Sequence, residues 1–290
     1  MRQSMRRRLA SSECNVDEME AERLQKKTTA PIITEISGRG VATITLRRPD
    51  IHNAFDDELI ELLRRELQGL ENNPVIRVVV IAAEGKSFSA GADLNWMKRM
   101  AENDRVANLE DAKNLGKLMA TLHRMRQPTV ALVQGPAYGG GVGLVAACDI
   151  AIASEDAMFC LSEVRLGLIP AVIGPYVVNA IGERQAIRYM MTAEKFSALE
   201  AQRIGLVHDV VPADVLQDRR NEIVADLLRG GPNALAEVKN LISYITKSAT
   251  QDEKVVRDTA GHIARVRATD EGQEGIAAFL DKRKAKWIRD

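Results

Sequence analysis

The chain is predicted to be an α/β protein whose chemistry sits on loops that follow buried strands. Three observations predict it. Strand-length apolar runs, Val75–Ala83 and Thr129–Val133, alternate with helical patterns, as covered strands in a mixed layer structure do. The run ending at Val133 meets the glycine cluster Gly139, Gly140 and Gly141 and then a small-residue helix pattern, Val142–Ala147, so a buried strand is expected to turn directly into a helix. Beyond Gly174 the pattern becomes predominantly helical.

Taken in order, residues 1–30 pair a basic start, MRQSMRRRLASS, with the acidic EMEAE and lack apolar periodicity, so they are expected to form a poorly ordered extension. The Arg-rich opening has the flavour of a mitochondrial transit peptide, but Glu13, Asp17, Glu18 and Glu20 argue against it. Strands are predicted at Ile32–Ser37 and Val41–Leu46 around the Gly38 and Gly40 turn. Leu59, Leu63, Leu67 and Leu70 then mark a helix capped by Asp56 and closed by Asn72, Asn73 and Pro74, with Arg64 and Arg65 on a solvated face. The strand Val75–Ala83 leads into a small-residue loop, Ser89 to Ala92, which something could approach closely. An amphipathic helix follows over Leu109–Arg126, with core-filling methionines and His123 as a terminal or packing residue. After the glycine cluster, helices are expected at Gly182–Thr192, Leu199–Ile204, Val215–Leu228, Asn233–Ser248, Val255–Thr269 and Gly272–Lys284, interrupted by a short strand at Val207–Val211. A mixed core over residues 31–225 and a helical region over 226–290 result.

Bulk properties narrow the function. The 40 basic and 40 acidic residues cancel, which argues against nucleic acid and anionic membranes as partners. Three scattered cysteines and four unpaired histidines give neither a disulfide framework nor a metal site, and point to a reducing compartment, the cytoplasm before the mitochondrial matrix. No run approaches the roughly 20 apolar residues of a membrane-spanning helix. A small molecule and a second copy of the chain remain as partners.

The stretch Gln134–Gly174 concentrates the chemical signals. Two loops that follow strands could each aim one backbone N–H at a single oxygen, from Ala92 and from Gly140, the latter with a helix dipole behind it. Such fixed donors form an oxyanion hole, worth on the order of 3 kcal/mol per donor. Glu163 lies downstream in an apolar context. It either handles protons or pairs with Arg165, Arg47 or Arg48. Asp149 is expected to be a structural carboxylate, and Tyr138 either lines the pocket or packs.

The motifs RPDIHNAF, FSAGADL, QGPAYGGGVGLVAACDIAIA and FCLSEVRLGLIPAVIG, in this order, resemble the enoyl-CoA hydratase/isomerase (crotonase) superfamily over residues 31–290. The resemblance implies a ββα spiral core, C-terminal helices that build a homotrimer or hexamer, and an acyl-CoA substrate with no separate cofactor. It implies an oxyanion hole at Ala92 and Gly140 and catalysis by Glu163. Coenzyme A would lie against Asn53, Ala54, Ala90, Asp93 and Leu94, with Phe279 and Lys282 reaching the nucleotide of a neighbouring subunit.

One departure matters. Two-acid hydratases of the family carry a first glutamate where this chain has Gly143. That loss fits a single-glutamate delta-3 to delta-2 enoyl-CoA isomerase, or a hydratase subgroup. The runs GGGVGLVAACDIAIA, IGERQAIRYMMTAE and EGQEGIAAFLDKRKAKW resemble bacterial 3-methylglutaconyl-CoA hydratases of leucine degradation, which lack the same acid, so a branched, carboxylated 2-enoyl-CoA is the expected substrate. Its distal carboxylate would need a cation, for which Lys98, Arg99, Arg126 and Arg165 are available. A noncatalytic RNA-binding relative is the remaining alternative, disfavoured by the neutral charge.

Overall fold

A computed structural model describes residues 30–247 and 253–289. The expected extension, residues 1–30, lies outside the described residues except for Ala30. The described chain is built as turns of a spiral, each laying one strand in a large sheet and one in a small sheet before returning through a helix.

The large sheet has the order β1-β2-β3-β4-β6-β9, from β1 (Ile32–Ile36), β2 (Val41–Leu46), β3 (Val78–Ala83), β4 (Thr129–Val133), β6 (Ile150–Ser154) and β9 (Asp209–Val211). Only β1 runs antiparallel to its neighbour. The small sheet has the order β5-β7-β8, from β5 (Ala137–Tyr138), β7 (Met158–Cys160) and β8 (Phe196–Ser197). Single parallel bridges, Ser89 to Ala137 and Phe55 to Ala92, continue that small sheet toward the earlier turns.

The central strands are apolar throughout because both their faces are covered. Val79 and Ile81 of β3 belong to the main core, while Val78 and Val80 belong to a second cluster with Val130, Leu132, Ile152, Leu216 and Val224. The main core is closed by α1 (Asp57–Glu71), α3 (Arg105–Arg124), α4 (Gly140–Ala147) and α5 (Gly174–Thr192), and the second face by α7 (Leu216–Arg229). Between these lie α2 (Leu94–Glu102) and α6 (Ala198–Ile204), and α8 (Pro232–Ile245), α9 (Glu253–Arg267) and α10 (Asp270–Leu280) finish the chain. Among the described residues no helix is long and apolar enough to cross a membrane.

Asp56 caps α1 by accepting from the Leu59 N–H at 2.8 Å, and Arg64 and Arg65 both pair with Glu61 on the solvated face, as predicted. His123 packs edge-on against Tyr176. Asp149 is structural: it accepts from the Thr129 N–H and hydroxyl and from Lys239 Nζ at 2.7 Å, tying α8 to the start of β4.

Several expectations are corrected. The third strand begins at Val78 rather than Val75, because Asn73 extends the turn: its Oδ1 accepts from Val75 N–H and its carbonyl from Ile76 N–H. The stretch after Asp93, for which no element is predicted, forms α2, capped by Asp93 through the Asn95 and Trp96 N–H groups. Of its nine residues only Trp96 is buried, with Met100 partly buried against the core, so its apolar face is too short to stand out in the sequence. The helix predicted from Leu109 starts at Arg105 on an Asp104 cap, and Leu109 faces outward. The helix predicted from Gly182 is the second half of α5, which kinks at that glycine (φ 74°, ψ 158°). The last helix ends at Leu280, and Lys282 adopts a left-handed backbone. Finally, β4 does not turn directly into a helix: the chain first crosses into the small sheet as β5, and α4 starts from there.

Candidate functional site

The site lies where three successive turns of the spiral meet at the C-terminal ends of the parallel strands. The Phe55 bridge fixes the first donor loop: Phe55 donates its N–H to Gly91 O at 2.6 Å and accepts from the Asp93 N–H at 2.7 Å. In a parallel bridge of this register the partnered residue's own N–H points away from the bridge, so that of Ala92 faces the side where Tyr138 and Gly139 run. The Tyr138 N–H bonds Ser89 O at 2.8 Å and the Gly139 N–H bonds Cys160 O at 2.9 Å, which pins the second loop between the first and β7.

Two glycines allow the close approach. A Cβ on Gly91 would stand 3.0 Å from Tyr138 O, and one on Gly139 would stand 3.9 Å from Gly91 Cα. Gly139, at φ 49°, precedes the first turn of α4, whose opening N–H groups have no acceptor within the helix. Among the described residues neither the Ala92 nor the Gly140 N–H finds a backbone acceptor outside regular helices and strands.

Glu163 opens a one-turn 3-10 helix, Glu163–Leu166, that follows β7 and closes on a left-handed Gly167. Its Oε1 lies 3.3 Å from where a Gly139 Cβ would be, so the carboxylate sits directly over the second donor loop. The pairing alternative is not realised: Arg48 binds Asp56 at 2.6 Å and Arg47 lies 3.4 Å from Glu84, while Oε2 of Glu163 is buried without a hydrogen-bond partner. Burial pushes its pKa above the ordinary carboxylate range, with only its own backbone N–H pulling the other way.

The position of the missing acid is filled. A Cβ on Gly143 would meet Ile173 Cγ2 at 2.3 Å and Met119 Cε at 3.2 Å. No second side chain can reach Glu163 from there without rebuilding that contact.

The coenzyme A candidates fall into two groups. Ala54, Ala90, Asp93 and Leu94 surround the Ala92 loop, with Ala90 and Leu94 exposed and Ala54 buried. Asn53 is fully buried and its side chain is spent on the protein, accepting from the Arg48 N–H and donating to Glu84 O and Ser87 O at 2.8 Å each. Its part is to join the two loops beneath the site. Phe279 and Lys282 are not brought to these residues: they sit at the end of α10, which packs on α8 and α9.

Of the four candidate cations, Arg126 is removed, since it precedes β4 at the opposite end of the sheet, near Glu71 and Asn233. Arg99 is held by Asp57 at 2.5 Å. Arg165 stands two residues from Glu163. Sequence reasoning missed Lys195. The small sheet sets Tyr138 opposite Cys160, and one further step of its register sets Lys195 there too; Lys195 Nζ lies 5.4 Å from the Tyr138 ring centroid. Its only sequence signal was a charge beside an edge strand, two residues long, that no pattern revealed.

Residues 37–290 match the family described as enoyl-CoA hydratase/isomerase. A solved structure from Legionella pneumophila, described as an enoyl-CoA hydratase/isomerase (crotonase), is 47% identical, with a TM-score of 0.85, covering 89% of this chain and 99% of that one. An enoyl-CoA hydratase structure from Shewanella pealeana is 43% identical with a TM-score of 0.87, covering 91% and 98%. The 2,3-dehydroadipyl-CoA hydratase of Escherichia coli K12 is 34% identical over 244 residues, 84% of this chain and 93% of that protein.

Proposed function

Because the chain belongs to the enoyl-CoA hydratase/isomerase family and carries its fold, we propose that it hydrates a branched, carboxylated 2-enoyl-CoA, namely 3-methylglutaconyl-CoA to 3-hydroxy-3-methylglutaryl-CoA. The observation that carries the catalytic part of this reading is Glu163, half-buried, unpaired and poised over a loop with a free N–H.

In the proposed mechanism the Ala92 and Gly140 N–H groups bind the thioester oxygen. Glu163 takes a proton from water, and the water oxygen bonds to C3. The C2–C3 π pair moves toward the carbonyl, and the resulting enolate charge rests on the two donors. Glu163 then returns its proton to C2, so water is added across the double bond and the carboxylate is regenerated. A raised pKa serves both halves of this cycle. Coenzyme A is part of the substrate, and no other cofactor is required by these steps.

The carboxylated substrate class is supported by two cations, Arg165 and Lys195, flanking Cys160 near Glu163, which we assign to the distal carboxylate. The Escherichia coli relative is also named for an enoyl-CoA that keeps a second carboxylate. The alternative is the isomerase reading, favoured by the absence of a second acid at Gly143, in which Glu163 moves a proton between carbons without adding water. Neutral net charge opposes the RNA-binding reading.

Ultraviolet absorbance of the conjugated thioester distinguishes the two enzymatic readings. Hydration predicts loss of the band with 3-methylglutaconyl-CoA and faster turnover than with unbranched, uncharged enoyl-CoA. Appearance of the band from a 3-enoyl-CoA, with no loss on any 2-enoyl-CoA, would assign the isomerase instead.

A further inference from the structure

The small sheet sets three side chains in a row on one face. Tyr138 of β5 pairs with Cys160 of β7, and the step beyond the Phe159–Phe196 pair sets Lys195 opposite Cys160 on its other side. Phe159 and Phe196 stack on the opposite face, 5.6 Å between ring centroids, so the row points away from that part of the core. Two strand spacings, about 10 Å, separate the outer members. Lys195 crosses the small side chain of Cys160 and brings its Nζ to 5.4 Å from the Tyr138 ring centroid.

The backbone fixes each member of the row. The Tyr138 N–H bonds Ser89 O, and its carbonyl lies 3.0 Å from where a Gly91 Cβ would be. Cys160 is 2% exposed, and its thiol donates to the carbonyl of Ala193, whose left-handed backbone ends α5 and turns the chain toward Lys195. Glu194, the acid beside Lys195, is spent on Arg188 at 2.6 Å, and among the described residues no carboxylate pairs with Lys195. An unpartnered carboxylate oxygen is nevertheless close by in the chain, Oε2 of Glu163. Arg165 and Lys195 both act on the Cys160 thiol, whereas Glu163 is shifted by burial and its own backbone alone.

We propose that the Tyr138 ring is a positioning group that holds the Lys195 ammonium over Cys160, where it meets the substrate's distal carboxylate and stays off Glu163. This rests on the carboxylated-substrate reading given above. An exposed cation–π contact is worth about a 2- to 5-fold change in an equilibrium, enough to bias the rotamers of a surface lysine. Without the ring, Lys195 is free to reach Glu163, and an ammonium beside that carboxylate favours its charged form and weakens it as a proton carrier. The other charged or titratable groups around Glu163 are accounted for. Cys160 is buried, Arg165 acts on that thiol, and Asp93 of the Ala92 loop caps α2. α5, which packs on the Glu163 turn, brings Tyr176, whose ring lies against His123, while its charges begin beyond the Gly182 kink.

The test compares 3-methylglutaconyl-CoA with 3-methylcrotonyl-CoA, in which a methyl group replaces the carboxymethyl group. Tyr138→Leu is expected to raise KM for the carboxylated thioester about 2- to 5-fold relative to the other, and to move the acid limb of kcat/KM to lower pH. Tyr138→Phe keeps the ring and should bring both back to wild-type values. Tyr138→Leu/Lys195→Met should return the acid limb to its wild-type position while KM stays raised. If Tyr138→Leu folds poorly, Tyr138→Met takes its place with the same expected outcomes. An unmoved KM ratio or an unmoved acid limb in the ringless variant, or a Tyr138→Phe variant that behaves like it, would overturn the inference. Equal wild-type KM values for the two thioesters would instead overturn the carboxylated-substrate reading, and the acid limb of Tyr138→Leu would still decide whether the ring restrains Lys195.

Discussion

Glu163 is the residue on which the proposed chemistry turns, and its isolation makes it testable. No second acid stands at Gly143, so nothing takes over when the carboxylate is removed. Glu163→Gln is expected to lower kcat about 10³-fold, with little change in KM. Retention of near-normal turnover would remove Glu163 from the mechanism. Because its pKa is raised by burial, the acid limb of kcat/KM should fall above pH ~4.3, the ordinary glutamate value. The same shift has a sign for stability. A carboxyl whose folded pKa is raised stabilises the fold fully below its unfolded pKa and loses that contribution as pH rises through the folded value. Glu163→Gln should therefore melt higher than wild type at pH 7, and the advantage should vanish below pH ~4. Thermal melts at the two pH values check this. Gly143 supplies the complementary prediction: Gly143→Ala drives a Cβ into Ile173, and is expected to cost about 1–3 kcal/mol in urea unfolding. Gly143→Glu should be worse still, and should not recreate a two-acid site.

At the scale of elements, what was legible depended on whether a segment announced itself by period or by packing. β2, α1 and β4 carry their own signals, a two-sided apolar run or leucines at helical spacing with a capping aspartate, and were read to within a residue or two. α2 buries one side chain, and β5, β7 and β8 are two or three residues long, so only tertiary contacts define them. The candidate site was legible as a set of motifs, Ala92, Gly140 and Glu163, whose loops the fold brings side by side, but its floor was not. Asn53 gives no sequence sign that it joins the loop before α1 to the loop after β3 through three side-chain bonds. Asn53→Ala leaves buried carbonyls of Glu84 and Ser87 without this donor, and should destabilise by about 2–3 kcal/mol. If Asn53 acts by shaping the loop, KM for acyl-CoA should rise while the pH profile of kcat stays that of wild type. An unchanged KM in a folded variant would detach Asn53 from the site.

For the whole molecule, the described chain completes a core but leaves its last helices unfinished. Val238 and Ile242 of α8, Val256 and Ile263 of α9, and Ile276 of α10 face outward, and at the end of α10 Phe279 is 83% and Leu280 70% exposed. Apolar area of this extent on consecutive helices is characteristic of a surface that another molecule covers. A second copy is the partner we propose, because the family resemblance also asks Phe279 and Lys282 to reach a neighbour's coenzyme A, and in their own chain they stand apart from the Ala92 loop. Sedimentation equilibrium should therefore return a trimer or hexamer for the wild type. Phe279→Glu with Leu280→Glu should shift the mass toward monomer and weaken acyl-CoA binding together, since one surface serves both. Lys282→Ala separates the two roles: it lies beyond the apolar face, and should leave the mass unchanged while raising KM several-fold. A monomeric wild type with full activity would show that the site is complete within one chain.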